Sequence, residues 1–240
     1  MIEQAARESR PFLLGLPTGR TPQPVYAAMA RQLAASPQSL AHVTLVMMDE
    51  YLVAQADGFA YAVTDGAPSC HAYTRTEIVG RLNASLLPAL QLSDAQVWFP
   101  DPHDPASYDE RIHAGGGIDF FLLASGASDG HVAFNPPGSA RDSRTRIVPL
   151  SEQTRRDNLA TFPALGTLEQ VPRFGVSVGI ATIANARAAV MVAWGEGKRA
   201  TVARMRAATH YEADWPATLI HECAAAELVI DAAATEQADT

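Results

Sequence analysis

Short apolar runs, separated by stretches of helical character, constrain the fold of this chain more than any other feature. Phe12-Leu13-Leu14-Gly15-Leu16 is the first run, Val43 to Met48 the second and Ile118 to Leu123 the third. Phe174 to Val178, Ala188 to Trp194 and Leu228 to Ile230 complete the series. A run that is apolar at every position has both faces buried. Strands of that kind, separated by helices, belong to a mostly parallel sheet covered on both sides. Between the runs, Thr21-Pro22 predicts a helix N-cap with proline at the first helical position, and Val25, Met29 and Leu33 follow at helical spacing. A further helix is predicted over 197–208. The expected fold class is therefore α/β. No internal repeat or low-complexity linker divides the chain, so residues 1–240 read as one domain.

Composition narrows the function. Hydrophobic residues make up 48% and can build a sizeable core, while 18% charged residues are too few for a disordered chain. The net charge of −8, with no basic block, argues against nucleic acid or an anionic membrane as the main partner. No apolar run approaches the roughly 18 residues of a membrane span. The polar, charged start from Met1 to Pro11 carries no secretory pattern. Cys70 and Cys223 fit no zinc spacing and read as free thiols of a reducing cytosol. His42, His71, His103, His113, His210 and His221 show no metal spacing and read as structural or surface residues. A cytoplasmic protein without a bound metal is expected.

In parallel α/β sheets ligands bind outside the carboxyl ends of strands. Three polar clusters follow predicted strands at such ends. In Gly15-Leu16-Pro17-Thr18-Gly19-Arg20-Thr21-Pro22, glycine lets backbone approach a ligand, a helix start offers amides to an anion, and Thr18, Thr21 and Arg20 add donors. An ordinary strand–helix turn is the alternative. Asp49 and Glu50 follow the second run, where a partly desolvated carboxylate can act as a base; a solvated acidic turn is the alternative. Ser128-Asp129-Gly130-His131 follows the third run. Asp-Gly is a common turn signal, but His131 beside Asp129 makes an acid–base pair that operates near neutral pH. Asn135-Pro136-Pro137-Gly138 is irregular and suits a loop over a site.

One count adds a fourth cluster. Seventeen of the eighteen basic residues are arginine, and Lys198 is the only lysine. A bias toward arginine explains the seventeen and leaves the lysine unexplained. Its position at a helix start, after Trp194-Gly195-Glu196-Gly197, points to anion binding. Arg144, Arg146, Arg155 and Arg156 are clustered in sequence, and a solvated face is the default reading for most of them.

These segments, in this order, resemble the glucosamine-6-phosphate deaminases and their relatives over nearly the whole chain. Leu14 to Gly19 with Thr21-Pro22 resembles the family's phosphate loop. Met48-Asp49-Glu50-Tyr51 is similar to its general-base segment, and Asp129-Gly130-His131 with Ala133-Phe134-Asn135 to its ring-opening segment. Ser143 to Ile147, Thr154-Arg155, Val171-Pro172, Val178-Gly179 and Gly195 to Lys198 match the remainder. The resemblance implies a Rossmann-like three-layer sandwich with no nucleotide cofactor. It implies opening of an amino-sugar phosphate ring, aldose–ketose isomerisation and release of ammonia. By the same resemblance, Asp49 moves a proton between C2 and C1, and His131, assisted by Asp129, opens the ring. Thr18, Gly19, Thr21 and Lys198 hold the phosphate. The implied partner is a small-molecule sugar phosphate; a homo-oligomer is compatible with this reading, but the family's allosteric hexamer is not implied.

Four departures stand out. The deaminases carry a glutamate one residue after the asparagine of the ring-opening loop, and here that position is Pro136, so the partner of His131 must come from elsewhere. The position aligned with their phosphate-binding arginine is Ala160. Arg20 replaces a usual glycine in the phosphate loop, where it offers a compensating charge. Only fourteen residues precede Gly15, which predicts a shortened N-terminal part and a sheet lacking one edge element. The 6-phosphogluconolactonases, hydrolases that share this fold and manage without that glutamate, supply a second reading. A sugar-phosphate sensor with binding but no turnover is a third.

Overall fold

Successive side chains of a strand point to opposite faces, and in β1 (Phe12–Leu16) both faces are filled. Phe12, Leu14 and Leu16 pack with Tyr26, Ile78 and Leu82, whereas Leu13 packs on the other side with Tyr108, Ile112, Ile183 and Met205. The same division holds in β6 (Phe120–Leu123), where Leu122 joins the first core and Phe121 and Leu123 the second. The sheet is thus the middle of three layers. This computed structural model describes residues 1–62, 69–161 and 166–235, the side chains at 160 and 161 excepted.

With β2 (Val43–Met47), β5 (Val97–Trp98), β9 (Ala189–Ala193) and β10 (Ala226–Ile230), these strands form a six-stranded parallel sheet of order β10-β9-β6-β1-β2-β5. The first face is covered by residues of α1 (Ile2–Arg7), α2 (Gln23–Ala35), α3 (Cys70–Tyr73), the π-helical turn Thr74–Val79 and α4 (Gly80–Asn83). The second is covered from α5 (Ala106–Ala114), α7 (Ile180–Ala184), α8 (Arg199–Ala207) and the 3₁₀ segment Pro216–Glu222; α6 (Glu152–Thr161) lies near the cleft described below. No helix among the described residues is long and apolar enough to cross a membrane.

A second sheet departs from the expected single layer. β3 (Asp49–Gln55), β4 (Gly58–Tyr61), β7 (Arg146–Pro149) and β8 (Phe174–Ser177) pair antiparallel in the order β4-β3-β8-β7. The apolar run Phe174 to Val178 therefore belongs here and not to the parallel sheet. A central strand with both neighbours paired is buried whichever way those neighbours run, and apolar periodicity does not distinguish the two cases. Asp49 is likewise the first residue of a strand, paired in register with Ser177, and not part of a turn. The helix after β1 also differs from expectation. Pro22 occupies the cap position, no side chain caps the helix, and the Thr21 carbonyl accepts from Trp194 Nε1 at 2.7 Å.

The chain runs from β1 outward to β2 and β5, then crosses to β6 on the other side of β1. Loops leaving adjacent strands β1 and β6 at their carboxyl ends turn opposite ways, which opens a crevice between them. Loops 17–21 and 124–131 form its walls.

Candidate active site

A cleft of about 520 Å³ occupies this crevice. Thr18, Gly19, Arg20, Thr21, Asp49, His131 and Lys198 all line it, together with Cys70, Asp157 and Asn158. Asp129 is held against His131. The residues singled out from four separate segments of the sequence thus surround one cavity.

The loop after β1 is shaped by its carbonyls. Pro17 O accepts from Tyr26 Oη, Gly19 O from Tyr73 Oη at 2.5 Å, and Thr21 O from Trp194 Nε1. A planar trans peptide points its N–H opposite to its C=O. The N–H groups of Thr18 and Arg20 are therefore turned away from these tyrosines, and three acceptors are withdrawn from competition with an anion. Gly19 has φ of 97°, a left-handed conformation that disfavours any side chain. Arg20 is exposed at the rim.

Asp49 begins β3 directly after β2, with Met48 between them. Only 7% of it is exposed. Burial is the main cause that pushes its carboxyl up to about 7; the neighbouring Glu50 adds to the rise, while Cys70 and His131 oppose it. Glu50 is not a solvated acid either. It is fully buried and accepts from Tyr51 N, Ser69 Oγ, Cys70 N and His71 N at 2.8–3.1 Å, and it pairs with His71 Nδ1 at 2.6 Å. These bonds pin the start of α3 beside Asp49. As a result Cys70 Sγ lies 3.4 Å from Asp49 Oδ1 and 3.5 Å from Thr18 Oγ1.

The loop after β6 lines the same cleft. His131 Nδ1 lies 2.7 Å from Asp129 Oδ1, and the His131 amide donates to the same oxygen at 3.1 Å. Burial pushes the Asp129 carboxyl up, but the His131 ring and backbone donors more than offset this and hold it below the usual range. Asp129 is thus the carboxylate that holds His131, and Pro136 offers it none. Asn135 locks the loop: Nδ2 donates to Val132 O and Val178 O, and Oδ1 accepts from Arg146. Arg146, expected on a solvated face, is therefore half-buried and turned inward. Arg155 likewise donates to the carbonyls of Leu168 and Val171. Both departures arise because buried carbonyl and amide oxygens need donors. Arg144 and Arg156 are exposed as expected.

Lys198 lines the cleft, and its Nζ donates to Ser125 O. Burial lowers its ammonium from the ordinary lysine range; Asp157 and Asp129 oppose that effect and Arg20 reinforces it. Asp157, on α6, accepts from Ser128 Oγ at 3.2 Å and from Gln153 Nε2 at 3.0 Å. Asp129, His131 and Asp157 offer ligand atoms that all lie within 4.8 Å of one another. The side chain of Ala160 lies outside the described residues.

Two cleft residues carry no legible signal in the sequence. Cys70 reads there as a free thiol, and Asp157 as one acid among many on a polar helix. The Ser69-Cys70-His71 triplet resembles nothing catalytic by spacing alone. Only the bonds from Glu50, twenty residues earlier, bring Cys70 to Asp49.

The cleft brings together a raised carboxylate, a histidine–carboxylate pair, a lysine and a glycine-containing loop. Such a set can move protons on a substrate whose anionic group is anchored by the loop. Comparison with known proteins identifies the family. A family model described as glucosamine-6-phosphate isomerases/6-phosphogluconolactonase matches residues 1–230. The chain is 33% identical to a glucosamine-6-phosphate deaminase of Beutenbergia cavernae, over 96% of this chain and 83% of that one. It is 34% identical to one of Rhodopirellula baltica, over 100% and 89%. The solved structure of a monomeric glucosamine-6-phosphate deaminase superposes with a TM-score of 0.78 at 27% identity, covering 97% of this chain and 91% of that one. A 6-phosphogluconolactonase from Thermotoga maritima shares the fold, with a TM-score of 0.63 at 18% identity over 95% and 89%. The chain belongs to the glucosamine-6-phosphate isomerase/6-phosphogluconolactonase family.

Proposed function

We propose that the protein converts an amino-sugar 6-phosphate to a ketose phosphate and ammonia. The observation that carries this reading is the buried carboxylate of Asp49, raised to about 7, facing the same cleft as the His131–Asp129 pair. Asp129 holds Nδ1 of His131, which leaves Nε2 to take the proton of the anomeric hydroxyl and to return one to the ring oxygen. The open-chain aldose then exposes its C2 proton. Asp49 removes it while the C1 carbonyl oxygen takes up a proton, and then delivers a proton to C1 as the amine nitrogen releases one, which gives a 2-imino compound; water adds to the imine carbon and ammonia leaves. A base with a conjugate acid near neutrality suits both halves of that transfer. Thr18, Gly19, Thr21 and Lys198 anchor the phosphate, and Arg20 adds a long-range positive charge at the rim.

The alternative activity, hydrolysis of a sugar-phosphate lactone, needs no C2 base. Purified protein is therefore assayed with amino-sugar 6-phosphates for ammonia and with 6-phosphogluconolactone for acid release. Ammonia release that Asp49→Asn abolishes supports the deaminase reading. Lactone cleavage without ammonia release overturns it, and thermal stabilisation by sugar phosphates without any product points to a sensor.

A further inference from the structure

The thiol of Cys70 is used by none of the steps above, yet it is buried between two of their participants. Its Sγ donates to Asp49 Oδ1 at 3.4 Å and lies 3.5 Å from Thr18 Oγ1. A thiol carries one proton. With that proton directed to the carboxylate, the Thr18 hydroxyl is the donor to sulfur, so the bonds run Thr18 to Cys70 to Asp49. The placement is built and not incidental. Cys70 is 1% exposed, its amide donates to Glu50 Oε1 at 3.1 Å, and the fully buried Glu50 also holds Ser69 and His71 on either side.

We propose that Cys70 is a positioning residue, whose thiol orients the Asp49 carboxylate, stabilises its ionised form and ties it to Thr18 of the phosphate loop. The inference rests on the deaminase reading for its catalytic consequence, but its physical content concerns Asp49 alone. The titratable groups that face Asp49 are Cys70 from α3, Glu50 and Tyr51 from β3, and His131 from the loop after β6. Of these, Cys70 donates a direct hydrogen bond to its side chain. Burial pushes the thiol itself well above its ordinary range, and the negative neighbours Glu50 and Asp49 add to this, so it stays protonated as a donor.

The test compares Cys70→Ala with Cys70→Ser. In the wild type, kcat/KM for an amino-sugar 6-phosphate falls on the acid side as Asp49 takes up a proton. Loss of one donor makes the carboxylate harder to ionise, so in Cys70→Ala this limb moves upward by about half to one pH unit. Cys70→Ser keeps a donor and holds the limb at or below its wild-type position. A purely structural role would lower kcat in both variants and leave the limb in place. A second readout needs no turnover: the difference in Tm between each protein and its Asp49→Asn counterpart, followed against pH, breaks where Asp49 titrates. That break moves upward in Cys70→Ala and not in Cys70→Ser. An unmoved limb and break in Cys70→Ala, or an equal upward displacement in Cys70→Ser, overturns the proposal. Should Cys70→Ala not fold, Cys70→Val, which also lacks the donor, takes its place under the same criterion. Absence of ammonia release from the wild type would reject the deaminase reading, and the Tm break would still judge Cys70.

Discussion

His131 Nδ1 and Asp129 Oδ1 lie 2.7 Å apart, only two residues from each other in the chain. A contact that local depends on the turn alone: Gly130, with φ of 66°, bends the backbone so that both side chains face one way. The carboxylate fixes which ring nitrogen carries the proton. Asp129→Asn keeps the shape and removes the charge. It is expected to lower kcat by about 10²–10⁴-fold with little change in KM. Steady-state kinetics check this, and an unchanged kcat would remove His131 from the mechanism.

Asp49 predicts a pH dependence with a definite sign. As a base it must be ionised, so kcat/KM should fall as pH drops below about 7. The linkage to stability runs the other way. Its folded-state value lies above the 3.8 of a free aspartate, so the native state binds the proton more tightly. Stability from this group is full below about pH 4 and is lost as pH rises to about 7. Asp49→Asn should therefore be inactive yet more stable than the wild type at pH 8, by up to about 4 kcal/mol. A Tm rise of roughly 5 °C or more is expected at pH 8, shrinking toward pH 4.

Gly126 is a close-approach site. A Cβ there would lie 2.3 Å from His131 Nδ1 and 2.7 Å from Asp129 Oδ1. The two side chains belong to the pair itself and have no slack, because Gly126 N also donates to His131 O at 2.8 Å. Gly126→Ala should displace the ring and lower kcat at least about tenfold, since misplacement of about 1 Å costs up to about 10²-fold. Circular dichroism that matches the wild type would separate this local effect from misfolding.

Lys198 and Arg20 should differ in strength. Lys198 is half-buried and Arg20 is exposed. A charge-assisted bond from the former contributes about 1.5–3 kcal/mol, so Lys198→Ala should raise KM for a sugar phosphate about 10–100-fold. Arg20 acts through solvent, where a charge pair contributes roughly 0–1 kcal/mol, so Arg20→Ala should raise KM less than about fivefold. The KM of a phosphate-free analogue should be insensitive to both changes.

Much of this was legible without coordinates. The apolar runs mark the strands, because a side chain that leaves water leaves its trace in the sequence wherever it goes. The polar clusters after them mark the cleft, because loops at the carboxyl ends of parallel strands are where such a sheet meets solvent. Thr18 to Thr21, Asp49, Asp129, His131 and Lys198 all follow from those local rules and from the resemblance in their order.

What only the tertiary structure decided is which groups meet. Asp49 reads locally as the end of a run, yet it opens a second, antiparallel sheet whose partner strand arrives from residues 174–177. Glu50 reads as a surface acid, yet it is the buried anchor that carries Cys70 to Asp49. Arg146 and Arg155 read as solvated and instead satisfy interior oxygens. Each of these depends on contacts between segments distant in the chain, and hydrophobic pattern and turn chemistry record only a residue's own tendency to be buried or to bend. Which residues gather at the cleft is therefore largely written in the sequence, and the desolvation that raises Asp49 to about 7 comes from the packing of the folded chain around it.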